Sequence, residues 1–274
     1  MKFLRFKQNL ALFNIGIKIG LAYKQAFFIE IFTVPFTLFI YYFLWKAIYD
    51  YSGMEVIRGF TFTDIFSYFV LTTIVGLFTY TMVDGYLEYL VISGDLINEL
   101  IVPSRFFDRE LYFDLGMKFF TLVTQGLPVI VFVGLFLDVS FVGFNYTLLA
   151  IISAILALIL VYLVGFITGM SAFWIGRIQG IRRFRRVITL FLSGGLIPLT
   201  FFPSWFTTIS HYLPFEYMRY VPVNIYLGKY SLNAHGFGNI FVAFGIQILW
   251  IIILYAISQL LWRIAFKKFA GAGA

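Results

Sequence analysis

Few residues in this chain could carry out chemistry, and their spacing predicts no catalytic site. The two histidines, His211 and His235, lie in one aromatic, proline-rich stretch, and the chain has no cysteine. The patterns HExxH, GxSxG and GxxxxGK(S/T), which indicate zinc hydrolases, serine hydrolases and nucleotide-binding loops, do not occur. An active site needs a nucleophile, a base and an acid that converge. The acids Glu30, Asp64 and Asp114 lie on different predicted helices, so we expect no enzymatic activity, bound metal or cofactor.

The composition indicates a membrane protein. The chain is 61% hydrophobic and only 12% charged, with a mean hydropathy of +0.93. A soluble domain carries about 25% charged residues, so most of this surface must face lipid. The net charge of +7 then reflects membrane topology rather than nucleic-acid binding, which would need a basic soluble face. We therefore predict one transmembrane domain over residues 1–274.

The fold is predicted to be all-α and polytopic. A helix that crosses the bilayer needs roughly 20 mostly apolar residues. Six segments fit this requirement: Ala26–Trp45, Phe62–Val83, Gly116–Leu137, Tyr146–Ile175, Val187–Phe202 and Ile240–Trp262. The fifth is short, and the sequence SGGLIP interrupts it.

The 20 lysines and arginines give the orientation, because they collect on the cytosolic side. Only Lys46, Arg58, Arg219 and Lys229 fall on the opposite side of six alternating spans. Both termini are then cytosolic and the membrane is the cytoplasmic membrane. Residues 84–115 form a cytosolic loop, and residues 194–231 form an extracellular segment.

Residues 1–25 are predicted to form an amphipathic helix in the inner membrane interface. They are basic, and their apolar side chains recur every three or four residues at Phe3, Phe6, Leu10, Phe13 and Ile17. This spacing is typical of a helix that lies along the bilayer surface.

A second amphipathic helix is predicted in the cytosolic loop over residues 92–103, ISGDLINELIVP. Gly94 permits a tight turn before it, and Pro103 ends it. Leu96, Leu100 and Ile101 would contact a partner protein, and the acids Asp95 and Glu99 would meet basic residues there. Alternatively the helix rests on the bilayer, although its acids would then face anionic headgroups.

The extracellular segment 194–231 contains Pro198, Pro203, Pro214 and Pro222, so it cannot be one straight helix. We expect short helices that re-enter the outer leaflet and pack against protein, because exposed non-helical backbone is costly at membrane depth.

Three polar residues fall within the predicted spans: Glu30, Gln125 and Gln247. They either line a polar path or bridge helices, and Glu30 could pair with a neighbouring helix. Ion-driven carriers place carboxylates or broken helices in both halves of the chain, and this chain does not. The energy for transport is therefore expected from another polypeptide.

The order of these elements resembles the membrane subunit of type-2 ABC exporters over nearly the whole chain. The most specific parts are Gly94-Asp95-Leu96 with Leu100 and Pro103, and the stretch from Gly195 through Gly228. The resemblance implies that two separate ABC ATPase subunits bind ATP and magnesium, and that helix 92–103 couples to them. A second permease copy, or a related permease, would complete the pathway among membrane lipids. The outer segment would close the exit, through Gly194, Gly195, Pro198, Phe201, Phe202, Pro203 and Pro214.

The expected cargo is hydrophobic or amphipathic, such as a lipid-like molecule, a drug or a peptide. Spans one, two and five would line the cavity between subunits, and their Phe, Tyr, Thr and Gly carry little charge. Two alternatives remain open at this point. One is an ion-coupled secondary transporter, and the other is a lipid-modifying enzyme that uses His211.

Overall fold

Helices dominate the structure, because a helix satisfies its backbone hydrogen bonds internally where lipid offers none. The computed structural model describes the chain in four segments, residues 2–22, 24–102, 105–136 and 144–271. Side chains are described over residues 8–22, 31–102, 105–134 and 146–267. The side chain of Glu30 and the whole of Pro103 lie outside these ranges.

The elements follow one another in chain order: α1 (Lys2–Ala22), α2 (Lys24–Ser52), β1 (Val56–Ile57), β2 (Phe60–Thr61), α3 (Phe62–Thr79), α4 (Val83–Ser93), α5 (Leu96–Ile101), α6 (Phe106–Thr121), a π-helical turn (Leu122–Gly126), α7 (Leu127–Phe136), α8 (Phe144–Met170), α9 (Ala172–Ile175), α10 (Gln179–Leu192), a 3-10 turn (Leu199–Phe201), α11 (Ser204–Ser210), a 3-10 turn (Glu216–Met218), α12 (Tyr220–Tyr226), a 3-10 turn (Gly236–Gly238) and α13 (Ile240–Gly271). The strands β1 and β2 pair as an antiparallel hairpin, whose turn residues Arg58 and Gly59 both have positive φ.

Five helical segments among the described residues are long and apolar enough to cross a membrane: Ile31–Ser52, Phe62–Ser93, Phe106–Gly134, Tyr146–Ile175 and Ile240–Lys267. The all-α polytopic prediction is confirmed. Two predicted boundaries are corrected. Residues 84–93 and 106–115, predicted as cytosolic loop, are helical and extend the second and third spans.

The predicted fifth span, Val187–Phe202, is not one helix. α10 has 14 residues and ends at Leu192, where Ser193 and Gly194 turn the chain. At 1.5 Å per residue it is about 21 Å long, short of the ~30 Å hydrocarbon core. The prediction of six spanning helices is therefore not confirmed, since five helical segments of spanning length occur among the described residues.

α1 packs lengthwise on α6 through two glycines. A Cβ on Gly16 would overlap the carbonyl oxygen of Phe113, and a Cβ on Gly116 would overlap that of Phe13. Glycines allow this close backbone approach. The helix predicted over residues 1–25 is present as α1, and its location in the membrane interface stays a prediction.

Two acids of the predicted spans have local partners. Asp64 and Thr61 form a capping box at the start of α3, with both N···O distances 3.1 Å. Asp114 pairs with Lys118 one turn further along α6, and both side chains are buried. The prediction that such acids satisfy helix ends or lie at interfaces is confirmed for Asp64, whereas Asp114 pairs within its own helix.

Candidate functional site

The short helix α5 is held in a fixed position between two longer helices. Gly94 ends α4 with a φ of 81°, a left-handed conformation that glycine adopts without strain. Asp95 follows as the first residue of the turn, and its carboxylate accepts a hydrogen bond from the Tyr89 hydroxyl at 3.3 Å. The helix itself is six residues, Leu96–Ile101, which is shorter than the predicted 92–103 because Ile92 and Ser93 belong to α4.

α5 has an inner and an outer apolar face. Leu96 is 0% exposed and packs in a cluster with Leu87 of α4 and Phe166 of α8, and Leu100 packs against the same cluster. On the opposite face Ile97 is 56% exposed and Ile101 is 75% exposed. Of the three side chains predicted to contact a partner, only Ile101 faces outward. The sequence analysis did not identify Ile97, which faces outward beside Ile101.

Glu99 binds within the chain rather than pointing toward a partner. Its carboxylate lies 2.5 Å from the guanidinium of Arg109 on α6, and the same guanidinium donates to the Glu99 carbonyl oxygen at 2.7 Å. The Tyr86 hydroxyl on α4 also donates to Glu99, at 3.3 Å. The basic residue that Glu99 meets within the chain is Arg109 of α6, and a contact between Glu99 and a partner protein stays a prediction.

An ion cluster joins α4 to α10. Asp84 lies 2.7 Å from Arg185 and 3.6 Å from Arg182, and Glu88 lies 2.9 Å from Arg182. Glu88 also accepts a hydrogen bond at 2.8 Å from the backbone N–H of Ile178, at the start of α10. Both carboxylates are nearly inaccessible, so the pairing is little screened by solvent.

The spacing of the acids and arginines in the sequence indicates this cluster. Asp84 and Glu88 are four residues apart, and Arg182 and Arg185 are three apart, so each pair lies on one helix face. The absence of a side chain at Gly85 makes room between them, since a Cβ there would overlap the Arg182 guanidinium. The prediction of residues 84–115 as a loop concealed the pattern.

The predicted outer gate residues lie around the end of α10. Gly194 has a φ of 75°, and its carbonyl oxygen accepts a hydrogen bond of 2.6 Å from the Tyr68 hydroxyl on α3. Gly195 and the buried Pro198 follow, and Phe201 packs edge-on against Trp45 of α2 with ring centroids 5.4 Å apart. The chain therefore brings the gate residues onto α2 and α3.

The remaining residues of the predicted gate, Phe202, Pro203 and Pro214, lie before and after α11. Phe202 stacks on Phe206 of α11 with ring centroids 4.6 Å apart, and Pro203 is exposed at the start of α11. Pro214 is buried between α11 and the Glu216–Met218 turn.

Gln247 bridges helices and does not line an open path. It is 0% exposed, and its amide nitrogen donates to the carbonyl oxygens of Ser153 on α8 and Tyr217 at 3.1 and 3.0 Å. The Ser153 hydroxyl in turn donates to the Gln247 side-chain oxygen at 3.1 Å. Of the two alternatives left open by the sequence, these hydrogen bonds favour bridging for this residue. Gln125 lies half-buried in the π-helical turn, an irregularity often found at functional sites.

A buried carboxylate organises the outer segment. Glu216 is almost completely inaccessible and lies within 3.3 Å of Ser210, His211 and Tyr230. The hydrogen bond between His211 and Glu216, with the attraction between their charges, raises the pKa of His211 although burial opposes it. His211 also stacks on Phe237, with ring centroids 4.6 Å apart.

This arrangement predicts that the outer segment loosens as the pH rises. A raised folded-state pKa contributes stability that is fully present below the unfolded value of about 6.5 and is lost as the pH rises through the folded value. The hydrogen-exchange protection factors of residues 204–231, which are corrected for the intrinsic base-catalysed rate, should therefore fall from pH 6 to pH 8. His211→Gln should remove most of this dependence, and an unchanged pH profile in that variant would contradict the assignment.

Five spanning-length helices and a largely apolar surface define a multi-pass α-helical membrane protein. Among the described residues, no group of three or more histidines and acids could hold a metal ion. The sequence matches the family described as ABC-2 family transporter protein over residues 35–273, and the chain belongs to that family. The prediction of an ABC-2-type permease is confirmed. No curated protein and no solved structure matches the chain.

Proposed function

We propose that this chain is the permease subunit of an exporter driven by a separate ATPase, with α5 as the helix on which that ATPase acts. One observation carries the proposal. α5 is fixed on its inner side by Leu96 and by the Glu99–Arg109 pair, while Ile97 and Ile101 stay exposed on its outer side. Exposed apolar side chains on a rigid, partly charged helix are typical of a docking surface for another protein.

The contacts of α5 continue to the outer segment. α5 follows α4 directly through Gly94, and the ion cluster of Asp84 and Glu88 binds α4 to the start of α10. α10 then leads to Gly194, which is bound by Tyr68. A displacement of α5 by ATP binding on the partner would be passed along this contiguous set of contacts to the gate residues.

The rest of the assembly follows from the family. Two ABC ATPase subunits would supply ATP and magnesium, and a second permease copy or a related permease would complete the pathway. Both termini would lie in the cytosol, in the cytoplasmic membrane. Residues 194–231 would form a re-entrant segment that closes the extracellular exit, and the cargo would be amphipathic.

The test is to place charge on the outer face of α5. Ile97→Asp with Ile101→Asp should reduce the ATPase activity that co-purifies with the tagged chain by at least about tenfold, because two buried unpaired carboxylates oppose docking. The matched control is Asn98→Asp, which adds one charge between them on an exposed position. Folding is checked by the thermal unfolding midpoint of each variant.

Two outcomes would contradict the proposal. One is undiminished co-purification and hydrolysis in the doubly charged variant. The other is flux driven by an imposed ion gradient in vesicles that hold this chain alone, which would instead identify an ion-coupled transporter.

A further inference from the structure

We propose that Arg219 binds an acidic group of the cargo near the middle of the membrane, so that the cargo is an anionic amphiphile. That this ligand is transported rests on the proposed function. That the chain binds an anionic amphiphile does not depend on it, and this binding can be measured without an ATPase.

The guanidinium of Arg219 lies in a slot between two glycines. A Cβ on Gly76 of α3 would lie 3.0 Å from Nη1 and 3.1 Å from Cζ of Arg219. A Cβ on Gly195 would lie 3.3 Å from the same Nη1. Since neither glycine carries a side chain, the planar guanidinium fits between α3 and the turn that follows α10.

The place of Gly76 in its spanning segment would put this slot deep in the membrane. Gly76 is close to the midpoint of the spanning segment Phe62–Ser93. Arg219 was predicted as an extracellular residue from its place in the sequence, yet its charged group reaches the centre of a span. A charged side chain at that depth is costly, and its presence marks a functional site by default.

Arg219 has no carboxylate to neutralise it. The other largely buried arginines of the described chain, Arg109, Arg182 and Arg185, each bind an acid at 2.9 Å or less. The side chain of Arg219 forms no hydrogen bond and no ion pair with any described residue, and the Tyr68 hydroxyl, whose charge acts on it, already donates to Gly194.

The nitrogens of Arg219 also remain accessible. Some side-chain nitrogens of Arg109, Arg182 and Arg185 are both inaccessible to solvent and without a hydrogen-bond partner, and no nitrogen of Arg219 is in this condition. Since the side-chain nitrogens of Arg219 have no hydrogen-bond partner, each of them must keep some accessible surface. The guanidinium is therefore largely buried, unpaired and open to a ligand.

The chemistry of the group defines the ligand. A guanidinium presents five donors in a planar fork that matches the oxygens of a phosphate, carboxylate or sulfate. Charge-assisted pairs of this kind are the strongest hydrogen bonds that proteins make. The apolar walls around the slot suit an alkyl or aromatic body, so the ligand combines an acidic group with an apolar part.

The test uses the full chain in phosphatidylcholine nanodiscs with three probes of matched chain length. Dodecyl phosphate should raise the thermal unfolding midpoint, while dodecyl maltoside and dodecyltrimethylammonium should not. Arg219→Gln should weaken the apparent affinity for dodecyl phosphate by at least about tenfold. Arg183→Gln, an exposed arginine on α10, is the matched control and should bind as the native chain does.

Two further variants keep the test decisive if Arg219→Gln does not fold. Arg219→Lys retains the charge without the fork and should bind several-fold more weakly. Gly76→Ala retains Arg219 but crowds its guanidinium, and should also weaken binding several-fold. Native affinity in both variants, or equal stabilisation by the uncharged probe, overturns the proposal. Inorganic phosphate that binds as tightly as dodecyl phosphate would overturn the amphiphile and identify a site for a free anion.

Discussion

Asp84→Ala should lower the free energy of unfolding by about 3–5 kcal/mol, because it leaves two largely buried arginines without their shared carboxylate. Asp84 lies 2.7 Å from Arg185 and 3.6 Å from Arg182, and its side chain is 3% exposed. The loss should appear as a lower thermal unfolding midpoint of the chain in nanodiscs.

Two variants separate the ion pair from a general effect of truncation. Arg183→Ala changes an exposed arginine on α10, next to Arg182. Its free energy of unfolding should stay within about 0.5 kcal/mol of that of the native chain. Asp84→Ala combined with Arg185→Leu should recover part of the loss, since the uncompensated cation is then removed. A stability of Asp84→Ala within about 1 kcal/mol of native would show that the cluster does not hold α4 to α10.

Gln247→Leu should lower the free energy of unfolding by about 1–3 kcal/mol, because it removes three buried hydrogen bonds without changing the side-chain volume greatly. The variant leaves the carbonyl oxygen of Tyr217 without its 3.0 Å donor, so the outer segment loses its tie to α8 and α13. Faster hydrogen exchange around Tyr217 should accompany the lower unfolding midpoint.

Gln259→Leu is the matched control for this prediction. Gln259 lies three turns further along α13, is partly exposed, and its side chain makes no hydrogen bond with the described residues. Its replacement should change stability by less than about 0.5 kcal/mol. Equal destabilisation by the two substitutions would mean that the hydrogen bonds of Gln247 contribute nothing specific.

The spanning helices could be predicted because lipid leaves the backbone no alternative to an internally bonded helix. α10 shows where this reasoning stops. The first half of α10 contains Arg182 and Arg185, and these charges lower its hydropathy. The predicted span therefore began only at Val187. Those arginines are accommodated by Asp84 and Glu88 on another helix, and hydropathy contains no information about that pairing.

The same limit applies to α5. Its existence and the turn at Gly94 followed from residue types, since glycine and helical spacing act locally. The residue types did not predict which apolar face of α5 points outward. Leu96 and Leu100 are four residues apart, as are Ile97 and Ile101, so two apolar faces have the same periodicity. Only the cluster formed by α4, α6 and α8 decides that Leu96 turns inward.

The sequence showed that polar residues within spans are exceptional, but it did not show which residues they contact. Gln247 contacts Ser153 across 94 residues, and Asp84 contacts Arg185 across 101. Arg219 was assigned to the outer side by charge counting, which takes no account of where a long side chain places its charge.

The central claim, that an ATPase docks on the outer face of α5, is tested most directly by site-specific cross-linking. The chain has no cysteine, so Ile101→Cys places a single reactive thiol on that face. Leu148→Cys on α8, at an equally apolar exposed position, is the control. With a short bifunctional thiol–amine reagent in native membranes, Ile101→Cys should give a cross-linked product that contains a nucleotide-binding ATPase, and Leu148→Cys should give none. No ATPase product from Ile101→Cys, or the same product from both positions, would contradict the account.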